Sequence, residues 1–173
     1  MLSNQELPAL TRQAPAVEMI QKLAHVLTQR QWLLATAESC TGGLIAAACT
    51  DLAGSSAWFE RGFVTYSNTA KTELLGVPAA LIDAHGAVSE PVARAMAEGA
   101  QAHAHAQASV AVTGVAGPTG ASADKPVGTV WFGWCVDGCT TTEHRRFAGD
   151  RAAVRAQAVT HALAGLLQRL PVG

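Results

Sequence analysis

Apolar residues recur at intervals of three and four near both ends of the chain, and this spacing is typical of helices with one buried face. Near the N-terminus the pattern runs through Ile20, Leu23 and Leu27, which predicts a helix over about residues 15–30. Near the C-terminus the same spacing predicts an amphipathic helix over about residues 150–170.

Short apolar or alternating runs, each bounded by glycine, proline or polar residues, predict the strands of a sheet. Three separate runs cover residues 32–37, 61–66 and 109–113. Two further runs, 127–136 and 140–147, flank an Asp-Gly pair, a dipeptide that is typical of a tight β-hairpin. The chain therefore supplies strands for one sheet, and the last two form a hairpin.

Helices are predicted between the strands, because capping residues stand in front of helical stretches. One helix begins at about Thr41 or Gly42, and a second begins with Asn68 as its cap and ends at Gly76. A third is capped by Ser89 and precedes the third strand. Helices that alternate with strands, followed by a hairpin, favour an α/β fold in which a mixed sheet carries helices on both faces.

The length of 173 residues suits one domain, and no repeat, linker or break in composition marks a second. We expect that domain to cover residues 15–173, with residues 1–14 as a loose lead-in. Hydrophobic residues make up 49% of the chain and charged residues 14%, so the chain can bury a large core. The low charge, together with four tryptophans, also favours a homo-oligomer.

The charge and the apolar pattern argue against several classes of partner. A net charge of −1 without a basic run argues against nucleic-acid binding. No apolar run approaches the ~18–20 residues of a membrane-spanning helix, and the N-terminus lacks a secretory pattern. The four cysteines include no CxxC pair, which favours reduced thiols in a cytoplasmic protein.

The segment TAESCTGG places unusual polar chemistry between two apolar runs; its residues 38–43 are called the serine loop below. Ser39 stands where a buried strand passes into a helix, and Gly42 and Gly43 leave the nearby amides accessible. Three interpretations are open: the amides hold a phosphate, Ser39 attacks a carbonyl carbon, or the hydroxyls only cap the helix. The segment is neither a GxSxG motif nor a P-loop.

A serine nucleophile needs a base, and two candidates are available. His85 precedes Gly86 in a predicted loop. Lys71 lies one turn into the helix that begins at Asn68, just after the strand that holds Tyr66. Burial there would lower the pKa of Lys71, and Tyr66 could relay the proton or fix the geometry. The ordinary alternative is a solvated lysine and a packed tyrosine.

The loop from Gly114 to Gly128 is rich in glycine and follows the third strand. It could wrap a small polar ligand, or it could be an exposed connection. If the strands are neighbours, this loop, the serine loop and the Tyr66–Lys71 segment gather at one edge of the sheet. A metal site is not expected, because no His, Asp or Glu pair has ligand spacing near these loops. The GxGxxG fingerprint of dinucleotide-binding folds is absent.

Six motifs occur in an order that identifies a family. They are AESCTGG at 37–43, GSSAWFERGFVTYSN at 54–68 followed by Lys71, GAVSEPVARAMAEGA at 86–100, TGVAGP at 113–118, KPVGTVWF at 125–132 and GDRAAVRAQA at 149–158. With these motifs the chain closely resembles the CinA C-terminal domain family, the nicotinamide-nucleotide amidohydrolases, over residues 15–170. It looks like the stand-alone bacterial form, without the additional N-terminal domain of some members.

The resemblance implies a three-layer α/β/α sandwich and an enzyme that hydrolyses the carboxamide of nicotinamide mononucleotide to nicotinate mononucleotide and ammonia. The implied role is pyridine nucleotide salvage, without a metal or organic cofactor. By motif, Ser39 corresponds to the family's catalytic serine, and Tyr66 and Lys71 correspond to the tyrosine and lysine of its YSN-x-x-K segment. One departure is Ala121, where the family usually has glycine; a positive φ there would strain the loop.

These expectations combine into one hypothesis for the site. Ser39 forms an ester with the nicotinoyl group, Lys71 takes and returns the proton with help from Tyr66, and amides of Thr41, Gly42 and Gly43 hold the oxyanion. Thr113 and amides of the Gly114 to Gly117 loop hold the ribose or the phosphate. The residues expected to bind substrate are Glu38, Thr41, Gly42, Gly43, Asn68, Thr113, Gly114, Gly117 and Lys125.

Two rival hypotheses remain open at this point. In one, Ser39 and its glycines bind the phosphate and Lys71 is a cation clamp, with Arg61, Arg145 and Arg146 as further available cations. In the other, the chain is a non-catalytic nucleotide-sensing or interaction domain associated with competence or DNA damage. A pure binding domain would not need a nucleophile and a base.

Overall fold

The computed structural model describes residues 14–171, with side chains from residue 16, so nearly all of the predicted lead-in lies outside the described residues. The strands are β1 (Leu34–Glu38), β2 (Phe59–Val64), β3 (Ala108–Gly114), β4 (Thr129–Val136) and β5 (Cys139–Arg146). The helices are α1 (Ala14–Gln29), α2 (Leu44–Thr50), α3 (Asn68–Leu75), α4 (Ala79–His85), α5 (Glu90–Ala104) and α6 (Arg151–Arg169), with a short 3-10 turn at Ser55–Ala57.

The strands form one sheet in the order β2-β1-β3-β4-β5. Strand β1 pairs in parallel with both β2 and β3, whereas β3, β4 and β5 pair antiparallel, so the sheet is mixed as predicted. The hairpin prediction is also confirmed, because Asp137 and Gly138 both have positive φ, as a tight two-residue hairpin turn requires. The carboxyl ends of the parallel strands β1, β2 and β3 lie at one edge.

Helices cover both faces of the sheet, which confirms the three-layer α/β/α arrangement. Residues of α1, α2 and α6, including Leu23, Ile45 and Leu163, form one core cluster with inward side chains of the sheet. Residues of α3, α4 and α5, including Leu75 and Met96, form the second cluster on the opposite face. Burial of both faces explains why β1 and β3 are almost continuously buried.

Three local predictions were wrong, each for a physical reason. Helix α2 begins at Leu44, because Gly42 and Gly43 have φ of 60° and 98°, in the left-handed region. The cap of α3 is Ser67, whose hydroxyl accepts a hydrogen bond from the Ala70 amide at 3.0 Å. Helix α4 was not predicted, and His85 is its last residue rather than a loop residue.

The packing of α6 against the sheet depends on Gly165 of that helix, which has no side chain. The Trp134 indole is fully buried and donates to the Ala162 carbonyl oxygen at 2.9 Å, which fixes the ring beside Gly165. A Cβ atom at Gly165 would lie 2.3 Å from Cζ2 of that ring.

We therefore expect Gly165→Ala to destabilise the protein. Overpacking of a fixed core costs ~1–3 kcal/mol, which exceeds the ~1 kcal/mol that alanine gains over glycine inside a helix. Urea unfolding of the wild type and the variant measures the difference. An unchanged or higher free energy of unfolding would show that Trp134 moves aside at no cost.

Candidate active site

The three polar segments singled out in the sequence meet at the carboxyl edge of the parallel strands. They line a pocket of about 300 Å³ that opens to solvent. Its lining includes Ser39 after β1, Tyr66 and Lys71 after β2, and Thr113 and Gly114 at the end of β3. The sheet order causes this convergence, because β1 lies between β2 and β3 and all three strands run in one direction.

Ser39 and Lys71 form a hydrogen-bonded pair at the buried side of the pocket. Ser39 continues the line of β1, because its amide donates to the Val112 carbonyl oxygen of β3 at 3.0 Å. Lys71 Nζ lies 3.2 Å from Ser39 Oγ and donates to the Thr65 carbonyl oxygen at 2.9 Å. A nucleophile and a nitrogen base within hydrogen-bond distance are what proton abstraction from a hydroxyl needs.

The environment of Lys71 favours its neutral amine. The residue is 1% exposed, and no carboxylate of the described residues forms an ion pair with it. Burial lowers the pKa of its ammonium group, with the Cys40 thiol as a smaller opposing influence. A lysine held without a counterion in this way can accept a proton at a pH where a solvated lysine cannot.

Cys40, beside Ser39 in the chain, is a second group in the pocket that could act as a nucleophile. Its side chain is buried, and that burial raises the pKa of the thiol to about 11. The thiolate is the reactive form of cysteine, so this thiol is inert at neutral pH. The chemistry of the pocket therefore favours Ser39.

Glu38 is fully buried and faces away from the pocket, into the start of α2. Its carboxylate accepts hydrogen bonds from the amides of Gly43, Ile45 and Ala46 at 2.8–3.1 Å and from the Thr36 hydroxyl at 3.3 Å. It thus supplies the acceptors that the first amides of the helix need, since Gly43 has no side chain to do so. Glu38 shapes the serine loop and does not line the pocket.

The amides of the two glycines in the serine loop, which were predicted to bind substrate, also have internal partners. The Gly42 amide donates to the Ser39 carbonyl oxygen at 3.1 Å, and the Gly43 amide donates to Glu38. Thr41 is fully buried, and none of the three lines the pocket. Within residues 14–171, no hydrogen bond joins the amide of Cys40 or of Thr41 to another residue, and of these two residues Cys40 lines the pocket. The Cys40 amide, directly after the nucleophile, is therefore the candidate donor.

Tyr66 lines the pocket mouth and is 61% exposed. Its hydroxyl accepts a hydrogen bond from Arg151 at 2.9 Å, and within the described residues no hydrogen bond joins it to Ser39 or Lys71. Asn68, which follows it at the start of α3, also lines the pocket. The structure therefore places Tyr66 as a wall of the pocket.

The loop after β3 supplies the opposite wall. Thr113 is fully buried, and its hydroxyl donates to the Ala87 carbonyl oxygen at 2.8 Å. Gly114 lies close to the backbone of β4, since a Cβ atom there would be 2.8 Å from the Thr129 carbonyl oxygen, and a Cβ atom at Gly117 would be 2.6 Å from Cγ1 of Val127. All three, which the sequence predicts to bind substrate, line the pocket.

Three other residues considered in the sequence lie outside the pocket. Lys125 folds over the end of α4, where its ammonium group donates to the His85 carbonyl oxygen at 2.9 Å. His85 does not line the pocket, which leaves Lys71 as the base within reach of Ser39. Ala121 is not among the described residues with positive φ, so alanine causes no left-handed strain there.

Over residues 14–171, no group of three His, Cys, Asp or Glu side chains is placed to hold a metal ion. Among the helices described, none combines the length and apolar character that crossing a membrane requires. The four cysteines are unpaired.

A family model described as the CinA C-terminal domain matches residues 16–170. The chain belongs to the CinA C-terminal domain family. It is 54% identical to the nicotinamide-nucleotide amidohydrolase PncC of Enterobacter agglomerans over 147 residues. These aligned residues cover 84% of this chain and 90% of the relative. It is 50% identical over 154 residues to the protein of that name from Escherichia coli K12, covering 88% and 93% of the two chains.

Solved structures of CinA proteins have the same fold. The competence damage-inducible protein A (ComA) of Klebsiella pneumoniae superposes with a TM-score of 0.86 at 44% identity, over 89% of this chain and 96% of that one.

Two arginines of α6 belong to the candidate CinA site and were missed in the sequence. Arg151 lines the pocket, and Arg155 donates to the carbonyl oxygens of Cys40 and Thr41 at 3.1 and 3.2 Å. Arg155 thus ties the serine loop to α6. The GDRAAVRAQA motif at 149–158 contains both residues, and its glycine and aspartate at a helix start were the available signal.

Glu38→Gln tests whether this carboxylate holds the serine loop. An amide side chain keeps the shape but turns an NH₂ group toward backbone amides, so we expect a loss of ~1–3 kcal/mol in the free energy of unfolding. Urea unfolding measures the change. The same substitution at Glu73, exposed on α3, is the control and should stay within ~0.5 kcal/mol of the wild type. Equal effects would contradict the role given to Glu38.

Proposed function

We propose that this chain hydrolyses the carboxamide of nicotinamide mononucleotide to nicotinate mononucleotide and ammonia. The observation that carries the proposal is the Ser39–Lys71 pair, a hydroxyl 3.2 Å from a buried amine with a lowered pKa, at the bottom of an open pocket. Its CinA relatives at 50% and 54% identity carry the name nicotinamide-nucleotide amidohydrolase, which supports the choice of substrate. The proposed setting is cytoplasmic pyridine nucleotide salvage by a homo-oligomer.

Acylation begins with neutral Lys71 accepting the proton of Ser39 Oγ as that oxygen attacks the amide carbon. The tetrahedral intermediate collapses, the C–N bond breaks, and the ammonium group of Lys71 returns the proton to nitrogen, which leaves as ammonia. A water molecule then attacks the ester while Lys71 accepts its proton, and Lys71 passes that proton to the departing Ser39 oxygen. The acid product ionises, so the net reaction consumes one water and regenerates the pair.

The oxyanion of each tetrahedral intermediate needs a hydrogen-bond donor fixed in advance. Because the Gly42 and Gly43 amides already have internal acceptors and Thr41 does not line the pocket, the Cys40 amide is the proposed donor. Arg155 supports it by holding the Cys40 carbonyl oxygen at 3.1 Å, which fixes the turn after the nucleophile.

Tyr66 has a proposed role in binding the pyridinium ring. The nicotinamide ring of the substrate carries a positive charge, and a cation over the face of an exposed tyrosine gains ~0.5–1 kcal/mol. Tyr66 lines the pocket at its mouth and is 61% exposed, so its ring is accessible to such a ligand.

The test is incubation of the purified protein with nicotinamide mononucleotide, with EDTA present and both products quantified. We expect ammonia and nicotinate mononucleotide in equal amounts. Release of free nicotinamide would instead mean cleavage of the glycosidic bond, and the amidase proposal would be wrong. Binding of the nucleotide without any turnover would favour the sensing or interaction domain.

A further inference from the structure

The substrate proposed above has two chemically different ends, and the pocket has two basic side chains in different surroundings. Lys71 is buried beside Ser39, whereas Arg151 is exposed on the pocket lining. They are the basic side chains that line this pocket among the described residues, and no acidic side chain lines it there. If the carboxamide lies at Ser39, the phosphate dianion of the nucleotide must point away from the buried pair, toward solvent.

Arg151 is held in place by neutral acceptors. Its guanidinium donates to the Gly117 carbonyl oxygen and to the Tyr66 hydroxyl, both at 2.9 Å. Within residues 14–171 no carboxylate forms an ion pair with it, and Asp150 instead accepts a hydrogen bond from the Ala153 amide at 2.9 Å. The guanidinium is thus fixed in orientation while its charge is not neutralised, and several of its five N–H donors remain available.

The loop beside Arg151 adds donors of the same kind. Thr119 and Gly120 line the pocket and are exposed, and their backbone amides have no acceptor within the described residues. Because Arg151 is bonded to Gly117 of this loop, the guanidinium and these amides lie on one wall of the pocket. Arginine together with backbone amides is a common way to bind phosphate oxygens.

The arginines first considered for the phosphate do not lie at the pocket. Arg61 pairs with its neighbour Glu60, and Arg145 pairs with Glu143. Arg146 is exposed on β5 and does not line the pocket either.

We propose that Arg151 binds the phosphate group of the substrate and thereby makes the site select a nucleotide over the corresponding nucleoside. The proposal rests on the function proposed above and names the group that sets its substrate class. Arg151 is a specificity-determining residue in this account and takes no part in proton transfer.

Arg151→Gln should weaken the reaction with nicotinamide mononucleotide and leave that with nicotinamide riboside, which lacks the phosphate, unchanged. For the nucleotide we expect kcat/KM to fall about 10–100-fold, the range that loss of one or two charge-assisted hydrogen bonds gives. Arg151→Lys keeps the positive charge but lacks the planar guanidinium, which can donate two parallel hydrogen bonds. It should recover part of the preference for the nucleotide over the riboside. Arg146→Gln makes the same change of charge outside the pocket and should leave both substrates unaffected.

Tyr66→Phe distinguishes phosphate binding by Arg151 from an indirect effect of Arg151 on the position of Tyr66. It removes the hydroxyl to which Arg151 donates and keeps the guanidinium. We expect it to preserve the ratio of nucleotide to riboside activity. Equal losses for both substrates in Arg151→Gln would overturn the proposal, because Arg151 would then act through Tyr66 or the loop. An equal effect of Arg146→Gln would also overturn it, because charge at a distance would explain the result.

Calorimetric binding of both compounds to the wild type and to Arg151→Gln distinguishes failure of this proposal from failure of the proposed reaction. If the wild type does not hydrolyse the nucleotide but Arg151→Gln weakens binding of the nucleotide alone, Arg151 recognises the phosphate and the proposed amidase function is wrong. If the variant binds the nucleotide as tightly as the wild type, Arg151 does not contact the phosphate.

Discussion

Replacing Ser39 with alanine should lower kcat for ammonia release from nicotinamide mononucleotide by about 10⁴–10⁶-fold, as loss of a serine nucleophile does in other hydrolases. The hydroxyl lies 3.2 Å from Lys71 Nζ, and the buried neighbouring thiol, whose pKa is about 11, cannot replace it. The measurement is steady-state ammonia release from the purified variant. Because alanine fits the space of serine, the affinity for the nucleotide should stay near that of the wild type.

Two outcomes would change the assignment of Ser39. If KM rises strongly while kcat is retained, Ser39 binds the phosphate and is not the nucleophile. Near-wild-type turnover would exclude both roles. Cys40→Ala is the matched control, because it removes the adjacent side chain and keeps the backbone amide, and it should retain activity. Circular dichroism and thermal unfolding of both variants show whether the fold is preserved.

Replacing Lys71 with methionine should lower kcat by about 10²–10⁴-fold, the range that a general base contributes. Methionine fills the buried site without a titratable group, and the Thr65 carbonyl oxygen loses the hydrogen bond that Lys71 donates at 2.9 Å. Comparison of kcat and of urea unfolding for wild type and variant separates loss of the base from loss of structure. Full activity in a folded variant would contradict the role of Lys71.

The pH profile gives an independent test of the same base. The active form of Lys71 is the neutral amine, so kcat/KM of the wild type should rise with pH and level off above the pKa of Lys71. Because burial lowers that pKa, the plateau should begin below the ordinary value for lysine. In Lys71→Met this rise should be absent. Rescue of the variant by increasing pH would mean that another base or hydroxide can serve in its place.

The sequence was sufficient to predict the fold because its local patterns agree with the sheet. The buried run of β1, the Asp137-Gly138 turn and the helical faces of α1 and α6 all have the expected structure. Helix α4 was missed because it has only seven residues and begins after Pro78 without a side-chain cap. The start of α2 was misplaced because left-handed backbone at two glycines cannot be inferred from their presence alone.

The site was only partly predictable, and sequence separation explains the missing part. Ser39, Tyr66 and Lys71 follow adjacent strands, so the strand pattern and the motifs were enough to bring them together. Arg155 contacts the serine loop across 114–115 residues of chain, and its direction on α6 depends on how that helix packs. Glu38 faces inward, where it accepts hydrogen bonds from three amides at the start of α2 and its cap. Its position in AESCTGG does not reveal this tertiary contact.

The central claim is that the reaction passes through an ester on Ser39. Rapid acid quench of the wild type during turnover of nicotinamide mononucleotide, followed by peptide mass analysis, tests it most directly. We predict that the peptide containing Ser39 gains the mass of the nicotinate mononucleotide acyl group and that fragmentation places it on Ser39. An adduct on Cys40 or Lys71, or undiminished ammonia release by Ser39→Ala, would contradict the account.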